Sequence, residues 1–218
     1  ENIRLTTTAY HNDFYRNWYK LDDIVANGTK IGIATILEDI NSYPDHFDIV
    51  NGSVNSGSDA VLIKANNRNY LSQGVQTKLD YHWYTDSAFH DIEVGLRYHY
   101  DEEDRIQYED GYSITDGVLN LTTDAPLGSD ANRISSATAF ASYVMYRLKI
   151  RKWTFTPGVR YENINLRREN FGINDPNRIG TDLTTRENQV NVFIPGIGMS
   201  YQFNTNLSLF GGVHKGFS

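Results

Sequence analysis

Residues 75–83 read VQTKLDYHW and residues 92–100 read IEVGLRYHY, with a short turn between the two stretches. In each stretch, apolar residues alternate with polar ones. Because successive side chains of a β-strand point to opposite faces, each stretch would have one apolar face and one polar face. A transmembrane β-barrel requires such strands, about ten residues long. The two stretches therefore predict an antiparallel hairpin in a membrane barrel.

The same unit recurs along the chain. We predict seven strands, near residues 2–20, 70–84, 90–104, 136–150, 153–168, 190–203 and 207–217. The connections alternate between short ones at 85–89, 151–152 and 204–206 and long ones at about 22–69, 105–135 and 169–189. Outer-membrane barrels have short turns on one rim and long loops on the other. We therefore expect an all-β, antiparallel barrel wall, with Val75, Leu79, Leu96 and Val159 on its outward face.

The composition of the 218 residues permits this fold. Only 39% of them are hydrophobic, as in a soluble protein, but a barrel strand needs only every second residue to be apolar. No apolar run approaches the eighteen or so residues that a membrane-spanning helix needs. The 15 tyrosines favour membrane interfaces, although a tyrosine-rich soluble β-sandwich would have them too.

Two local features refine the strand prediction. Aromatic residues cluster near the short turns and again higher up, at Tyr81, Trp83, Trp153, Phe155, Tyr201 and Phe203, and at Tyr98, Tyr100 and Tyr161. These groups predict girdles at the two membrane interfaces. Pro157 and Pro195 fall inside predicted strands, where proline removes a hydrogen bond of the ladder, and we expect paired bulges there.

Several function classes are disfavoured. The chain has no cysteine, and its net charge of −7 argues against a nucleic-acid binder. Its six histidines include no pair with the spacing of a zinc helix, and there is no phosphate loop or nucleophile elbow. We therefore expect no enzyme, no metal and no cofactor. The carboxylates between residues 101 and 135 could chelate calcium, but they lack the spacing of a calcium loop and favour a solvated surface.

The polar residues of the strands supply the candidate binding site. Arg97 and Arg160 would face the barrel interior at similar heights, with Tyr143 on the strand between them. Such a row could bind an anionic solute, or it could form ordinary ion pairs with carboxylates of the wall. Arg68 and Arg133, at the bases of predicted loops, are further candidates.

Five phrases resemble strands of one family. They are residues 71–77 (LSQGVQT), 92–99 (IEVGLRYH), 156–162 (TPGVRYE), 195–201 (PGIGMSY) and 209–218 (LFGGVHKGFS). They resemble barrel strands of TonB-dependent outer-membrane transporters, and their order is most similar to the ferric-citrate branch. This resemblance implies a 22-stranded barrel in the bacterial outer membrane that imports a ferric chelate with energy from TonB. The implied partners are the chelate, outer-membrane lipid, and the TonB complex acting through an N-terminal plug.

The resemblance also implies that residues 1–218 are a partial barrel domain, an internal fragment without plug, TonB box or remaining strands. Two alternatives stay open. A passive porin or a barrel enzyme would have a complete barrel of eight to sixteen strands, and a soluble β-sandwich interaction domain would have a sealed core.

Overall fold

The computed structural model describes residues 2–216, which form one antiparallel β-sheet with a small helical cap. The strands are β1 Ile3–Ala26, β2 Thr29–Gly32, β3 Val61–Tyr84, β4 Ala88–Thr115, β5 Val118–Thr123, β6 Ala131–Ile150, β7 Trp153–Asn170, β8 Thr184–Gln202 and β9 Ser208–His214. The helices are α1 Ile33–Glu38, a 3₁₀ turn Ile40–Ser42, and α2 Pro44–Val50. Strand order in the sheet is β2-β1-β3-β4-β6-β7-β8-β9, and β5 pairs with β4 alone.

The two faces of the sheet differ as the alternation predicts. One cross-strand row aligns Leu79, Val94, Val144 and Val159 on what we call the apolar face. Val75 and Val159 expose 44% and 42% of their surface there. Side chains of the opposite parity form the polar face. The predicted hairpins are therefore confirmed up to His214, and the four residues predicted to face outward lie on one face. Large aliphatic residues that are exposed in such a row need an apolar environment.

The strands are longer than the sequence analysis predicted. β3 begins at Val61, β4 continues to Thr115 and β6 begins at Ala131. Much of the predicted loops at 22–69 and 105–135 is therefore strand, and the carboxylates at 101–110 lie on β4 rather than in a loop. Because they alternate between the two faces of the sheet, they do not converge on one cation. The sheet has nine strands instead of seven.

The two strands that the prediction missed belong to tight hairpins. Asn27-Gly28 joins β1 to β2 with φ values of 52° and 75°, and Asp116-Gly117 joins β4 to β5 with φ values of 52° and 76°. Positive φ at both central residues is the geometry of a type I′ turn, which Asn-Gly and Asp-Gly favour. These two dipeptides were the sequence signal for the extra hairpins.

A small core lies beyond the upper ends of β1 and β3, away from the short turns. Ile36 of α1 and Ile49 of α2 are buried against Ile24, Val61 and Ile114 of the sheet. This cap explains why residues 33–50 are helical: their apolar side chains have a sheet surface to cover. None of the helices in residues 2–216 is long and apolar enough to cross a membrane.

Residues 171–183 form a segment that is hydrogen-bonded to the apolar face of the sheet, at the end away from the short turns. We call it the 171–183 segment. Arg178 donates hydrogen bonds to both carboxylate oxygens of Asp104, at 2.9 and 2.6 Å, and its Nε donates to Asn132. Asp175 accepts hydrogen bonds from the backbone N–H groups of Ile179 and Gly180. Burial raises the pKa of Asp175, but these backbone hydrogen bonds outweigh it and hold the pKa below its usual value.

The predicted proline bulges are wrong. Pro157 and Pro195 pair with Ile197 and Val159 in an unshifted register between β7 and β8. The ladder between β6 and β7 is instead interrupted between the pairs Met145–Gly158 and Leu148–Phe155, and it resumes in the same register. Proline lacks the N–H that this ladder needs, so the strand gives up hydrogen bonds there without adding a residue.

Candidate functional site

The apolar face changes character partway along the strands. From the short turns up to the row that contains Ala9, Val75, Tyr98 and Phe140, it carries mainly aliphatic and aromatic side chains. Above this row it carries polar and charged ones, such as Glu102. We call the two parts the lower half and the upper half of the sheet. A band of apolar side chains closed off by polar ones is the lipid-facing surface of a transmembrane barrel.

Aromatic residues mark both edges of this band. At the turn end, the rings of Trp153 and Tyr201 are 4.5 Å apart, and Tyr81 stacks on Trp83 at 5.3 Å. At the upper edge, Tyr161 lies 4.8 Å from Phe193. Aromatic girdles at both interfaces are typical of outer-membrane barrels, so the predicted girdles are present on the described strands.

On the polar face, a hydrogen-bonded chain that crosses the border between the two halves holds Arg97. Its Nε and Nη2 donate to the hydroxyl of Tyr10 at 3.2 and 3.0 Å. The same hydroxyl lies 2.5 Å from Nδ1 of His99, whose Nε2 lies 2.6 Å from Asp101. Since Tyr10 accepts from Arg97, it donates its own proton to Nδ1, and the Nε2–H of His99 donates to Asp101. Asp101 thus orients His99, which orients Tyr10 and Arg97.

Tyr143 and Arg160 lie one row nearer the short turns and are directly opposite each other. Tyr143 donates to Glu93 at 2.6 Å, and Arg160 is paired with Glu162. Ligand binding and ordinary ion pairing were the two roles expected for these residues, and Arg160 forms an ion pair. Arg97 differs, because it forms no salt bridge with any described residue and bonds only to a neutral hydroxyl.

A glycine makes the position of Tyr143 possible. A Cβ atom at Gly95, on the neighbouring strand, would overlap the ring of Tyr143. The ring therefore lies flat across the backbone of β4 and reaches Glu93. Arg97, Tyr143 and Arg160 line one depression of the polar face together with Thr8.

The upper half carries a larger cluster that the sequence analysis found only in part. One arginine on each of six neighbouring strands projects from the polar face; these are Arg16, Arg68, Arg105, Arg133, Arg168 and Arg186. We call this set the arginine belt. The first four are in direct register, and the last two pair with each other one row nearer the turns. With strands about 4.8 Å apart, the belt extends over roughly 24 Å.

Among the described residues, one arginine of the belt forms a salt bridge. Arg68 forms a salt bridge of 2.8 Å with Glu103, but Arg105 and Arg133 form none with any described residue. The Nε atoms of Arg16, Arg105 and Arg133 are buried and have no hydrogen-bond partner. Like charges directly opposite one another destabilise a sheet, and an unpaired buried donor costs about 1–3 kcal/mol. The arrangement is therefore suited to an anion that would satisfy several guanidinium groups at once.

Aromatic rings flank the belt at its β1 end. The guanidinium of Arg16 lies 4.3 Å from the ring centre of Trp18 and donates to the hydroxyl of Tyr70 at 3.0 Å. Arg68 donates to the same hydroxyl at 3.2 Å. These contacts hold two guanidinium groups in place and leave donors free for a ligand.

Above the belt, carboxylates and lysines neutralise each other. Carboxylate oxygens of Asp22, Asp23 and Glu109 lie close enough together to hold a metal ion. However, the ammonium group of Lys30 is 3.0 Å from Asp23 and 2.9 Å from Glu109, and that of Lys64 is 2.5 Å from Asp22. The lysines supply the positive charge that a cation would supply, so we do not assign a metal site to this cluster.

This sheet has an apolar band bounded by two aromatic girdles on one face, and a charged opposite face. Its short turns all lie at one end. These features define the wall of a transmembrane β-barrel. The chain belongs to the TonB-dependent receptor family: the family described as TonB dependent receptor-like, beta-barrel matches residues 2–218. Members of this family are transporters of the outer membrane.

Two solved structures show the same fold. The ferric citrate transporter FecA in its unliganded form is 24% identical with a TM-score of 0.54, over 70% of this chain and 21% of FecA. The siderophore receptor PiuA from Acinetobacter baumannii is 12% identical with a TM-score of 0.61, over 97% of this chain and 29% of PiuA. The chain thus spans less than a third of either protein.

Proposed function

We propose that this chain is part of the barrel wall of an outer-membrane active transporter that imports an anionic ferric chelate with energy supplied by TonB. Residues 1–218 would then be a piece of one barrel domain, whose remaining strands and plug lie outside this chain. Family membership and the fold shared with FecA and PiuA support the transporter class. The ligand class rests on the chemistry of the polar face.

The arginine belt is the observation that carries the proposal. Guanidinium groups bind carboxylates and similar anions through paired, charge-assisted hydrogen bonds. Arg105 and Arg133 form no salt bridge with any described residue, and the nearby Glu103 is already paired with Arg68 at 2.8 Å. A chelate with several anionic oxygens would accept hydrogen bonds from the terminal nitrogens of Arg105 and Arg133 and reduce the repulsion between neighbouring arginines. Ferric citrate and carboxylate siderophores have this character.

The belt also lies at a suitable height for first contact. It stands seven residues above the upper edge of the apolar band on β1 and β3, counted from Ala9 and Val75. This corresponds to about 23 Å along the strand and roughly 18 Å along the membrane normal at a tilt near 40°. A chelate entering from the loop side would meet the belt before it met Arg97, Tyr143 and Arg160, which we propose as a second, deeper contact region.

The test is binding of ferric citrate to the full-length protein carrying Arg105→Gln and Arg133→Gln together. Loss of charged hydrogen bonds of about 1.5–3 kcal/mol should weaken binding roughly ten- to a hundredfold. Arg147→Gln is the matched control, because Arg147 is on the same face near the turns and its partner is Asp91, at 3.3 Å. We expect its affinity to stay within about twofold of the wild type, given that surface ion pairs contribute little.

Equal affinities of the double variant and the wild type would contradict the proposal. A passive anion porin is the second candidate, because the same belt would favour it. The two are distinguished by uptake into cells whose proton gradient has been collapsed: transport through a porin would persist, and TonB-dependent import would stop.

A further inference from the structure

The upper half of the apolar face has a surface that the proposed transport does not use. It consists of Tyr15, Asn17 and Tyr19 on β1 with Asn67 and Asn69 on β3, and we call it the tyrosine–asparagine patch. Tyr15 and Tyr19 expose 61% and 50% of their surface. The helical cap covers the sheet above this patch, and the 171–183 segment is fastened to β4 and β6 beside it. Among the described residues, none covers the patch itself.

The patch is uncharged, and its tyrosine rings are held in place. Tyr15 donates a hydrogen bond to Asn67 at 3.0 Å, and the hydroxyl of Tyr19 lies 3.2 Å from Asp110. The side chains of Asn17 and Asn69 make no hydrogen bond within the part of the chain that the structure describes. Fixed aromatic rings beside free amide groups suit a hydroxyl-rich, uncharged partner, because a ring packs against its C–H surface and the amides bond its hydroxyls.

The height of the patch narrows the choice of partner. Asn69 lies six residues above Val75, the upper edge of the apolar band. This is about 20 Å along the strand and roughly 15 Å along the membrane normal at a tilt near 40°. The headgroup layer of an ordinary bilayer adds only about 5–8 Å on each side of the hydrocarbon. A phospholipid headgroup is therefore too short to reach the patch, whereas an oligosaccharide headgroup is long enough.

We infer that the tyrosine–asparagine patch binds the core oligosaccharide of lipopolysaccharide molecules that surround the barrel. This inference rests on the proposed outer-membrane location. The surface that contacts lipid molecules would then continue upward from the apolar band to the patch, because both lie on one face of the same strands. Asp13 and Glu102 lie between patch and band, so phosphate groups at that level would need a divalent cation, and the uncharged patch contacts the sugars above them.

The inference is tested with the purified full-length protein in detergent containing magnesium. Binding is measured for two lipopolysaccharides, one with a complete core oligosaccharide and one truncated after the innermost sugars. The wild type should bind the complete form about tenfold more tightly, and Tyr15→Ala with Tyr19→Ala should remove this preference without weakening the truncated form. Tyr84→Ala is the control, since Tyr84 is an exposed tyrosine at the turn end, and it should keep the preference.

A second variant keeps the test decisive if loss of Tyr19 disturbs the fold. Asn17→Ala with Asn69→Ala removes side chains without internal partners and should reduce the preference at least about threefold. A wild type without preference, or variants that keep it, would overturn the inference. Ferric citrate binding by the same variants should be unchanged, so failure here is distinct from failure of the proposed transport.

Discussion

The lower and upper halves of this sheet are continuous strands in different surroundings. In the lower half one face is apolar and the other polar, with aromatic girdles marking the edges of the apolar band. In the upper half both faces carry polar and charged residues, and parts of the apolar-face side are covered by the cap and the 171–183 segment. The hydrogen-bond ladder of β3 and β4 runs through both halves without a register shift.

The comparison shows that the alternation of apolar and polar residues comes from the surroundings of a strand, lipid or water, and not from its backbone structure. Lipid requires every second side chain of the lower half to be apolar, so the period of two is clear there. Water meets both faces above, so strand residues need no alternation of hydrophobicity. The apolar-face side of the upper half is therefore free to carry charged residues such as Asp13, Glu102 and Asp104, whereas the polar face carries arginines in both halves.

The first prediction contrasts the same substitution in the two halves of β7. Val159→Arg places a charge in the lipid-facing band and should destabilise the protein by about 2–4 kcal/mol, whereas Asn165→Arg, on the same face of the upper half, should cost about 0–1 kcal/mol. The measurement is urea unfolding of the full-length protein in lipid vesicles. Equal losses of stability at the two positions would mean that the edge of the membrane does not lie between them.

The contrast also explains how much of the fold was predictable. The strand centres and short turns followed from alternation, as at residues 75–83. The upper parts of β3, β4 and β6 were predicted as loops, because stretches such as Asn66-Asn67-Arg68-Asn69 look like loop sequences. These residues are held in strands by pairing with their neighbours across the sheet, a tertiary effect that local propensity does not show.

The second prediction concerns packing on the polar face of the lower half. Gly95→Ala would force the ring of Tyr143 away from β4 and break its hydrogen bond with Glu93, at a cost of about 1–3 kcal/mol. Gly211→Ala is the control, because an added Cβ there meets no atom within 4 Å. The measurement is the urea concentration at the unfolding midpoint of each variant, which should be lower for Gly95→Ala than for Gly211→Ala. A Gly95→Ala protein as stable as the control would mean that Tyr143 has another place to go.

Individual residues of the candidate site could be predicted, but their alignment in one row could not. Arg68 and Arg133 were identified as candidates, and Arg105 between them was not. Its membership in the belt depends on cross-strand register, which aligns residues 16, 68, 105 and 133 although they are far apart in sequence. Register follows from the turns and from pairing over the whole strand length, so a single strand cannot show it.

The third and smallest effect is a pH dependence confined to the upper half. The pKa of Asp175 is held below its usual value by backbone hydrogen bonds, so its stabilising effect is complete above the unfolded pKa of about 3.9. This effect is lost as the pH falls through the lower folded pKa. Amide hydrogen exchange of residues 171–183, corrected for intrinsic rates, should therefore accelerate in acid.

Asp175→Asn is the control for this prediction. The amide cannot titrate, so exchange in residues 171–183 should be faster than in the wild type near neutral pH and should change little on acidification. If wild type and variant respond to acid alike, another group controls the segment.

The most direct test of the central claim is a crystal structure of the full-length protein with ferric citrate, in which anomalous scattering locates the iron. We predict that the chelate's carboxylate oxygens lie about 2.7–2.9 Å from guanidinium nitrogens of the belt, with Arg105 or Arg133 among them. A ferric chelate bound to the barrel with no arginine of the belt in contact would contradict the account.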